Sequence, residues 1–345
     1  MKIAILGDMH VGCRNSNQII QQWQKRFFEE CFWPKIDELG ITRIVQVGDY
    51  FDNRKFINLN TMAFQREVFV RQAQKRGMFV NGIVGNHDIP YRHSLANNSP
   101  SQILNHEDGF AFYDTIQEFE WDGVNFTFMP WLCKENYEES IARIKQGGDV
   151  LIGHFEIKNF LMHAGAFSHD GLSKSDFKNW NQVYSGHYHA QSVQDNIHYI
   201  GTPYQMMWSD VFTKHGFWIF DTTDRSMEFI ENPFRFFHRF VWENGCDQPI
   251  GDLKDAYVKI NVKKKTDFEA FENFVDQINY HSPFDLKITE TFEEFSSENV
   301  EDLIKISSTT DLIEDYIDNV VSLSNIEPIK KMMLEIYNES LHVEE

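Results

Sequence analysis

The sequence predicts an α/β chain: a two-sheet sandwich flanked by helices, then a small α/β unit, then a C-terminal helical hairpin. Three observations carry this expectation. Short apolar runs recur and end in glycine, the pattern of buried strands meeting sharp turns. Amphipathic stretches with helical spacing lie between the early runs, as in sheets covered by helices. Five motifs rich in Asp, Asn and His follow the runs directly, and ligands in layered α/β folds gather beyond the carboxyl ends of strands.

In chain order, residues 3–6 read as the first strand and lead to Asp8-Met9-His10. A helical stretch over residues 15–39 follows, with Trp23, Phe27, Phe28 and Phe32. Residues 44–47 form the next strand and lead to Gly48-Asp49-Tyr50-Phe51-Asp52, and a second helix is expected over residues 59–76. Ile83 and Val84 precede Gly85-Asn86-His87-Asp88; residues 150–152 precede Gly153-His154; Val183 and Tyr184 precede Gly186-His187-Tyr188-His189. Glycine before a ligand lets the backbone turn sharply and come close to an ion. Residues 126–129, 198–200 and 217–220 supply further strands.

The small unit, residues 241–292, reads as strand 256–262, helix 267–280 and strand 286–292, with Lys263-Lys264-Lys265 in a turn. Residues 293–305 form an acidic linker. Residues 306–345 hold two amphipathic stripes, Leu312 to Val321 and Ile329 to Tyr337, the second opened by Pro328. Two such short helices cannot bury their stripes alone, and a Met-containing stripe suits a partner groove.

The five motifs offer about eight Asp, Asn and imidazole ligands and no thiolate. That set suits two octahedral divalent cations such as manganese, and a close cation pair clamps a phosphorus centre for in-line attack. A lone Asp-x-His is a common accident. Five such motifs, each at an expected strand end, are not, and a metal-dependent phosphoesterase is the reading.

The motifs resemble those of the calcineurin-like metallophosphoesterases, and within them the chain looks like the SbcD-type nuclease subunit of double-strand-break repair, notably that of T-even-like phages. The likeness is good over about the first 240 residues and covers the tail in layout only. It implies a metallophosphoesterase sandwich over residues 1–240, with Asp8, His10, Asp49 and His189 around one ion. Asp49 would bridge to a second, completed by Asn86, His154 and His187. It implies two manganese ions, with magnesium a possible substitute. His87 would face the scissile phosphate and protonate the leaving oxygen, and Asp52 would hold His87 in place, although cellular nuclease members often have His at that position. Residues 241–292 would cap the site and steer DNA. The hairpin would dock the coiled coil of an SbcC-like ABC-type ATPase, and the exposed faces of the two early helices would make a homodimer.

Composition bounds this reading. A hydrophobic fraction of 42% with 31 Phe is ample for a core. No apolar run approaches a membrane span. A strand follows Lys2 directly, and the four cysteines show no CxxC spacing, so a cytoplasmic protein with reduced thiols is expected, in the host cytoplasm if phage-encoded. The net charge of −20 argues against tight DNA binding by the chain alone. Residues 251–345 carry 9 basic and 22 acidic groups, whereas residues 14–92 carry 12 basic and 8 acidic. Arg14, Arg54, Lys55 and Arg92 each follow a metal motif closely and are the candidate phosphate contacts. Two other functions are open at this stage: a phosphatase or small-molecule phosphodiesterase on the same fold, or a non-catalytic scaffold for the ATPase. In protein phosphatases of the superfamily Arg-Gly follows the second motif and Glu follows the His, where this chain has Asn53-Arg54 and Asp88.

Overall fold

A computed structural model describes residues 1–163 and 166–290. The expected linker and hairpin, and the last two residues of the expected strand 286–292, lie outside the described residues. Met1–Glu290 form one compact unit.

Two six-stranded sheets carry the site. The first has the order Met227–Glu231, Gly216–Asp221, Lys2–Leu6, Arg43–Gln46, Phe79–Ile83, Phe110–Tyr113. The second has the order Ser192–Gln194, Ile197–Tyr199, Trp180–Gly186, Gly148–His154, Val124–Met129, Gln117–Trp121. In each, four strands pair in parallel: from Lys2–Leu6 to Phe110–Tyr113 in the first and from Ile197–Tyr199 to Val124–Met129 in the second. Parallel strands buried on both faces explain why the runs are continuously apolar.

Side-chain alternation sorts the layers. Ile3, Ile5, Val45 and Val47 pack against Phe126, Phe128, Val150, Ile152 and Tyr184 of the other sheet. Ala4, Leu6 and Ile44 turn instead to the helices, against Phe27, Phe28, Phe32 and Phe69. Leu151 and Val183 join a third layer with Ile144 and Phe177.

The first helical stretch starts later than expected. Arg14 and Asn15 are left-handed, at φ 51° and 57°. The Asn17 side chain then caps Ile19 and Ile20 N–H at 2.9 and 3.1 Å and starts helix Gln18–Phe27. A π-turn, Phe28–Phe32, leads into Trp33–Leu39. Its extra residue places Phe27 and Phe28 on the same buried face as Phe32 and Trp33. The second helix runs through Leu59–Gln65, a π-turn at Arg66–Val70 and Arg71–Lys75, one residue short of expectation.

The small unit is a parallel sheet of Phe237–Glu243, Tyr257–Lys264 and Asp285–Glu290. Helix Phe268–Tyr280 covers one face, its N-terminus capped by Asp267, which accepts from Ala270 N–H at 2.9 Å. The first of these strands straddles residue 241, the expected boundary, because Arg235, His238 and Arg239 hide its alternation in sequence. Lys263 and Lys264 end a strand rather than form a turn. Acids engage this run: Lys265 lies 2.6 Å from Glu290, and Lys263 lies 3.8 Å from Glu243. Among the described residues no helix is long and apolar enough to cross a membrane.

Candidate metal centre

Every candidate ligand sits at or just past the carboxyl end of a strand. Glycine makes these approaches possible. A Cβ on Gly48, itself at φ 97°, would meet His154 Nδ1 at 2.4 Å. One on Gly85 would meet Asp49 Oδ1 at 2.2 Å, and one on Gly186 would meet Asp8 Oδ1 at 2.5 Å. His10, Asp49 and His187 themselves adopt positive φ, at 41°, 53° and 91°. Such backbone is costly for residues with a Cβ and is held by its surroundings.

The side chains converge in three groups whose ligand atoms lie within 4.8 Å of one another: Asp8 with His10 and His189, Asp49 with His154 and His187, and His10 and Asp49 with His87. Asp49 stands between the first two, its Oδ2 3.6 Å from His10 Nε2 and 3.3 Å from His154 Nε2. Asn86 Oδ1 lies 2.9 Å from His154 Nε2 and 3.0 Å from His187 Nδ1. His154 Nδ1 donates to the Val47 carbonyl at 2.8 Å, which leaves Nε2 turned to the centre. Asp8 accepts from His187 N–H at 2.9 Å.

Charge is crowded here. Burial pushes the Asp8 carboxyl up to about 7, with the Asp49 charge adding to it. Burial acts on Asp49 in the same sense, but His154 and His10 outweigh it and hold Asp49 below the usual range. Burial lowers His10 and His154, yet the surrounding carboxylates win and raise each to about 9. Burial takes His187 down to about 3 and His189 well below its ordinary value, so both are neutral imidazoles with a lone pair to give. His10 Nε2 is buried without a hydrogen-bond partner. An orphaned imidazole nitrogen beside buried carboxylates, with an amide oxygen between two more imidazoles, fits divalent cations with mixed N and O ligands.

His87 is tied to this centre from two sides. Its N–H donates to Asp49 Oδ1 at 2.7 Å, and its ring lies 4.7 Å from that of His10. The expected pairing of the Asp52 carboxylate with His87 is not what the structure shows. His87 Nδ1 contacts the Asp52 backbone oxygen at 2.8 Å, while the Asp52 carboxylate lies 3.3 Å from His10 Nδ1. The chain direction through Asp52 presents its carbonyl to one imidazole and its side chain to the other. Burial lowers the His87 pKa, with His10 and Arg54 acting in the same sense and Asp49 against it.

Sequence reasoning passed over Asp88. It is fully buried and accepts from Tyr50 and Phe51 N–H at 3.0 and 3.2 Å and from Gly85 N–H at 2.9 Å. It therefore clamps the Asp49 loop to the Asn86 loop. No spacing rule in the sequence separates such a brace from a ligand. Trp131 was also missed; its ring lies 5.1 Å from that of His187 and 5.9 Å from that of His154.

The candidate phosphate contacts scatter. Arg14 Nε donates to the Met206 carbonyl at 3.0 Å and its guanidinium lies 5.4 Å from the Phe237 ring. Arg54 is half-buried, and its charge is felt by His87. Lys55 and Arg92 are exposed.

Residues 1–247 match the family described as calcineurin-like phosphoesterase. The chain belongs to that family. Among curated proteins, "Exonuclease subunit 1" of Enterobacteria phage T4 is 31% identical over 327 residues, 94% of each chain. A solved archaeal phosphodiesterase aligns with a TM-score of 0.34 at 12% identity, over 67% of this chain and 99% of that one, too loose a likeness to add to the family match.

Proposed function

We propose that this phosphoesterase is a DNA nuclease that uses two manganese ions, with magnesium as a substitute, and hydrolyses phosphodiesters at strand ends or within strands. The observation that carries the reading is the pair of ligand groups joined at Asp49, in a chain related over nearly its whole length to a phage exonuclease subunit. Asp8, His10 and His189 would hold one ion, Asn86, His154 and His187 the other, and Asp49 both. When bound, such a pair neutralises phosphate charge and makes a nucleophile available near neutral pH.

The chain's own residues divide the remaining work. His87 Nδ1 donates to the Asp52 carbonyl, so Nε2 is the nitrogen left for substrate; burial disfavours the imidazolium in the free protein, the negative charge of a bound phosphodiester would favour it, and in that form Nε2 would give its proton to the leaving oxygen. The hydrogen bond from its N–H to Asp49 couples that position to the ligands. The Asp52 carboxylate orients His10, as carboxylates behind ligating histidines do. Trp131 lies beside His187 and His154 and limits water on that side.

The relative's name, a subunit, supports a complex. The partner we propose is an SbcC-like coiled-coil ATPase, docked by the apolar stripes of residues 306–345, and residues 241–292 act as the capping unit. A homodimer through the early helices is supported by Phe56 and Leu59, 78% and 84% exposed at the start of the second helix. Incubating the full chain with manganese and linear, circular and single-stranded DNA, beside a phosphopeptide, tests the function. Metal-dependent DNA cleavage is expected. Phosphopeptide hydrolysis without DNA cleavage would make it a phosphatase, and no hydrolysis of either would make it a scaffold.

A further inference from the structure

The outer face of the small three-stranded sheet carries a row of cations. In the parallel register Arg239 lies opposite Lys259, and Lys259 opposite Lys287. Neighbouring strands are about 4.8 Å apart, so the three side chains stand side by side. They point away from the covering helix, because the alternate residues Phe240, Val258, Ile260 and Leu286 fill the core beneath it. No ion pair among the described residues compensates any of them. Lys259 Nζ stands 4.4 Å over the Trp208 ring, and the Arg239 guanidinium lies 5.4 Å from the Phe212 ring. With the Asn261 amide turned so that its oxygen faces the guanidinium, Arg239 Nε also donates to that neutral oxygen at 2.9 Å. The carboxylates of this face are set apart: Asp285 is opposite Tyr257, two residues back, and Glu243 is engaged by Lys263 at 3.8 Å.

This is an unusual arrangement in a chain of net charge −20. Like charges in neighbouring cross-strand positions destabilise a sheet. The repulsion registers at Lys259, whose pKa is lowered by burial first and then by Lys287 and Arg239. A polyanion lying across the row would relieve it. The strand that carries Arg239 also touches the chain segment that follows His10. Phe237, two residues before Arg239 in the same strand, lies 5.4 Å from the guanidinium of Arg14, which follows His10 by four residues. Phe212, 63% exposed beside Arg239, offers an apolar ring at the edge of the row.

We propose that Arg239, Lys259 and Lys287 form a docking face for the phosphodiester backbone of the substrate, linked to the metal centre through Arg14; this rests on the DNA-nuclease reading above. Cations that track a backbone beside exposed rings are the elements of single-strand binding. The face complements the net negative charge of the chain by confining the attraction to one path. Lys263 and Lys265, the conspicuous cations in the sequence, do not belong to it because Glu243 and Glu290 engage them.

The test is equilibrium binding of a fluorescent single-stranded oligonucleotide to the full chain over a salt series, beside DNA cleavage and hydrolysis of bis(4-nitrophenyl) phosphate by the wild type. The triple variant R239Q/K259Q/K287Q should bind about tenfold or more weakly at low salt. Its slope of log affinity against log salt should flatten by about two, since each phosphate contact on a single strand contributes about 0.7. Lys259→Arg should keep wild-type affinity and slope, and K263Q/K265Q should change neither. An unfolding midpoint no lower than wild type checks the triple variant's fold, since removing the repulsion should not destabilise the sheet. If that midpoint drops, Lys287→Gln, at an exposed position on the edge strand, should still flatten the slope by about 0.7. Unchanged affinity and slope in these variants, with wild-type DNA binding and cleavage intact, overturn the docking face alone. A wild type that hydrolyses the small ester but neither binds nor cleaves DNA overturns the nuclease reading and the face with it.

Discussion

At the scale of single residues, the structure separates two histidines that sequence motifs treat alike. His87 is fastened by the Asp52 carbonyl and by Asp49, and the mechanism proposed above assigns its Nε2 to the leaving group. His87→Ala should therefore abolish cleavage while metal content stays at two ions per chain; loss of an ion on metal analysis would make His87 a ligand instead. Asp52→Asn has a different expected outcome, because an amide leaves the backbone carbonyl in place. The carboxylate faces His10 Nδ1 at 3.3 Å, so its loss should weaken metal affinity by about 10–100-fold, as for other partners of ligating histidines. Saturating manganese should then restore most of the turnover. Unchanged metal affinity with turnover depressed at saturation would place the action of Asp52 on His87. Asp88 shows the limit of motif reading: it was visible in sequence, but its part in joining two loops depends on three backbone N–H groups that only the fold brings to it.

At the scale of elements, strand ends do the positioning and glycine sets how close they come. Gly85 has no positive φ, so its requirement is purely steric: a Cβ would lie 2.2 Å from Asp49 Oδ1 and 2.3 Å from Asp49 N. Gly85→Ala should displace the carboxylate shared by the two ligand groups and reduce metal binding to both, read by calorimetric titration with manganese. Full-affinity binding of two ions would show that the loop yields without moving Asp49. The two helices present the opposite case, since their function in the fold tolerates irregularity. Each takes a π-turn that keeps consecutive aromatic or β-branched residues facing the sheet, which no fixed 3.6-residue template reproduces.

At the scale of the whole molecule, every residue of the candidate metal centre lies before residue 190, and Met1–Glu290 form a compact unit. Deleting residues 291–345 should leave manganese binding and cleavage of short single-stranded DNA near the full-length level, while binding to the ATPase partner proposed above falls steeply. Ile317→Asp or Met333→Asp should mimic the deletion, since an unpaired carboxylate in an apolar interface costs several kcal/mol and ~2 kcal/mol already weakens binding about thirtyfold. A pull-down in which the truncated chain retains the ATPase at full strength would sink the docking claim and assign the stripes to this chain's own packing.

The layered fold and its strands were legible in sequence because burial on both faces makes parallel strands continuously apolar, and the ligand motifs announce the turns that follow. The ligand types were legible for the same reason: each follows its strand within a few residues. What sequence order does not carry is lateral placement. Residues 8, 49, 86, 154 and 187 become neighbours only through strand order in two sheets. The same lateral register places Arg239, Lys259 and Lys287 in one row, while the lysine run at 263–265, prominent in sequence, meets acids from other strands. Local pattern fixes which residues turn inward and where a strand ends; the direction of a carboxylate such as Asp52, and the partner it reaches, are decided by backbone packed around it from distant parts of the chain.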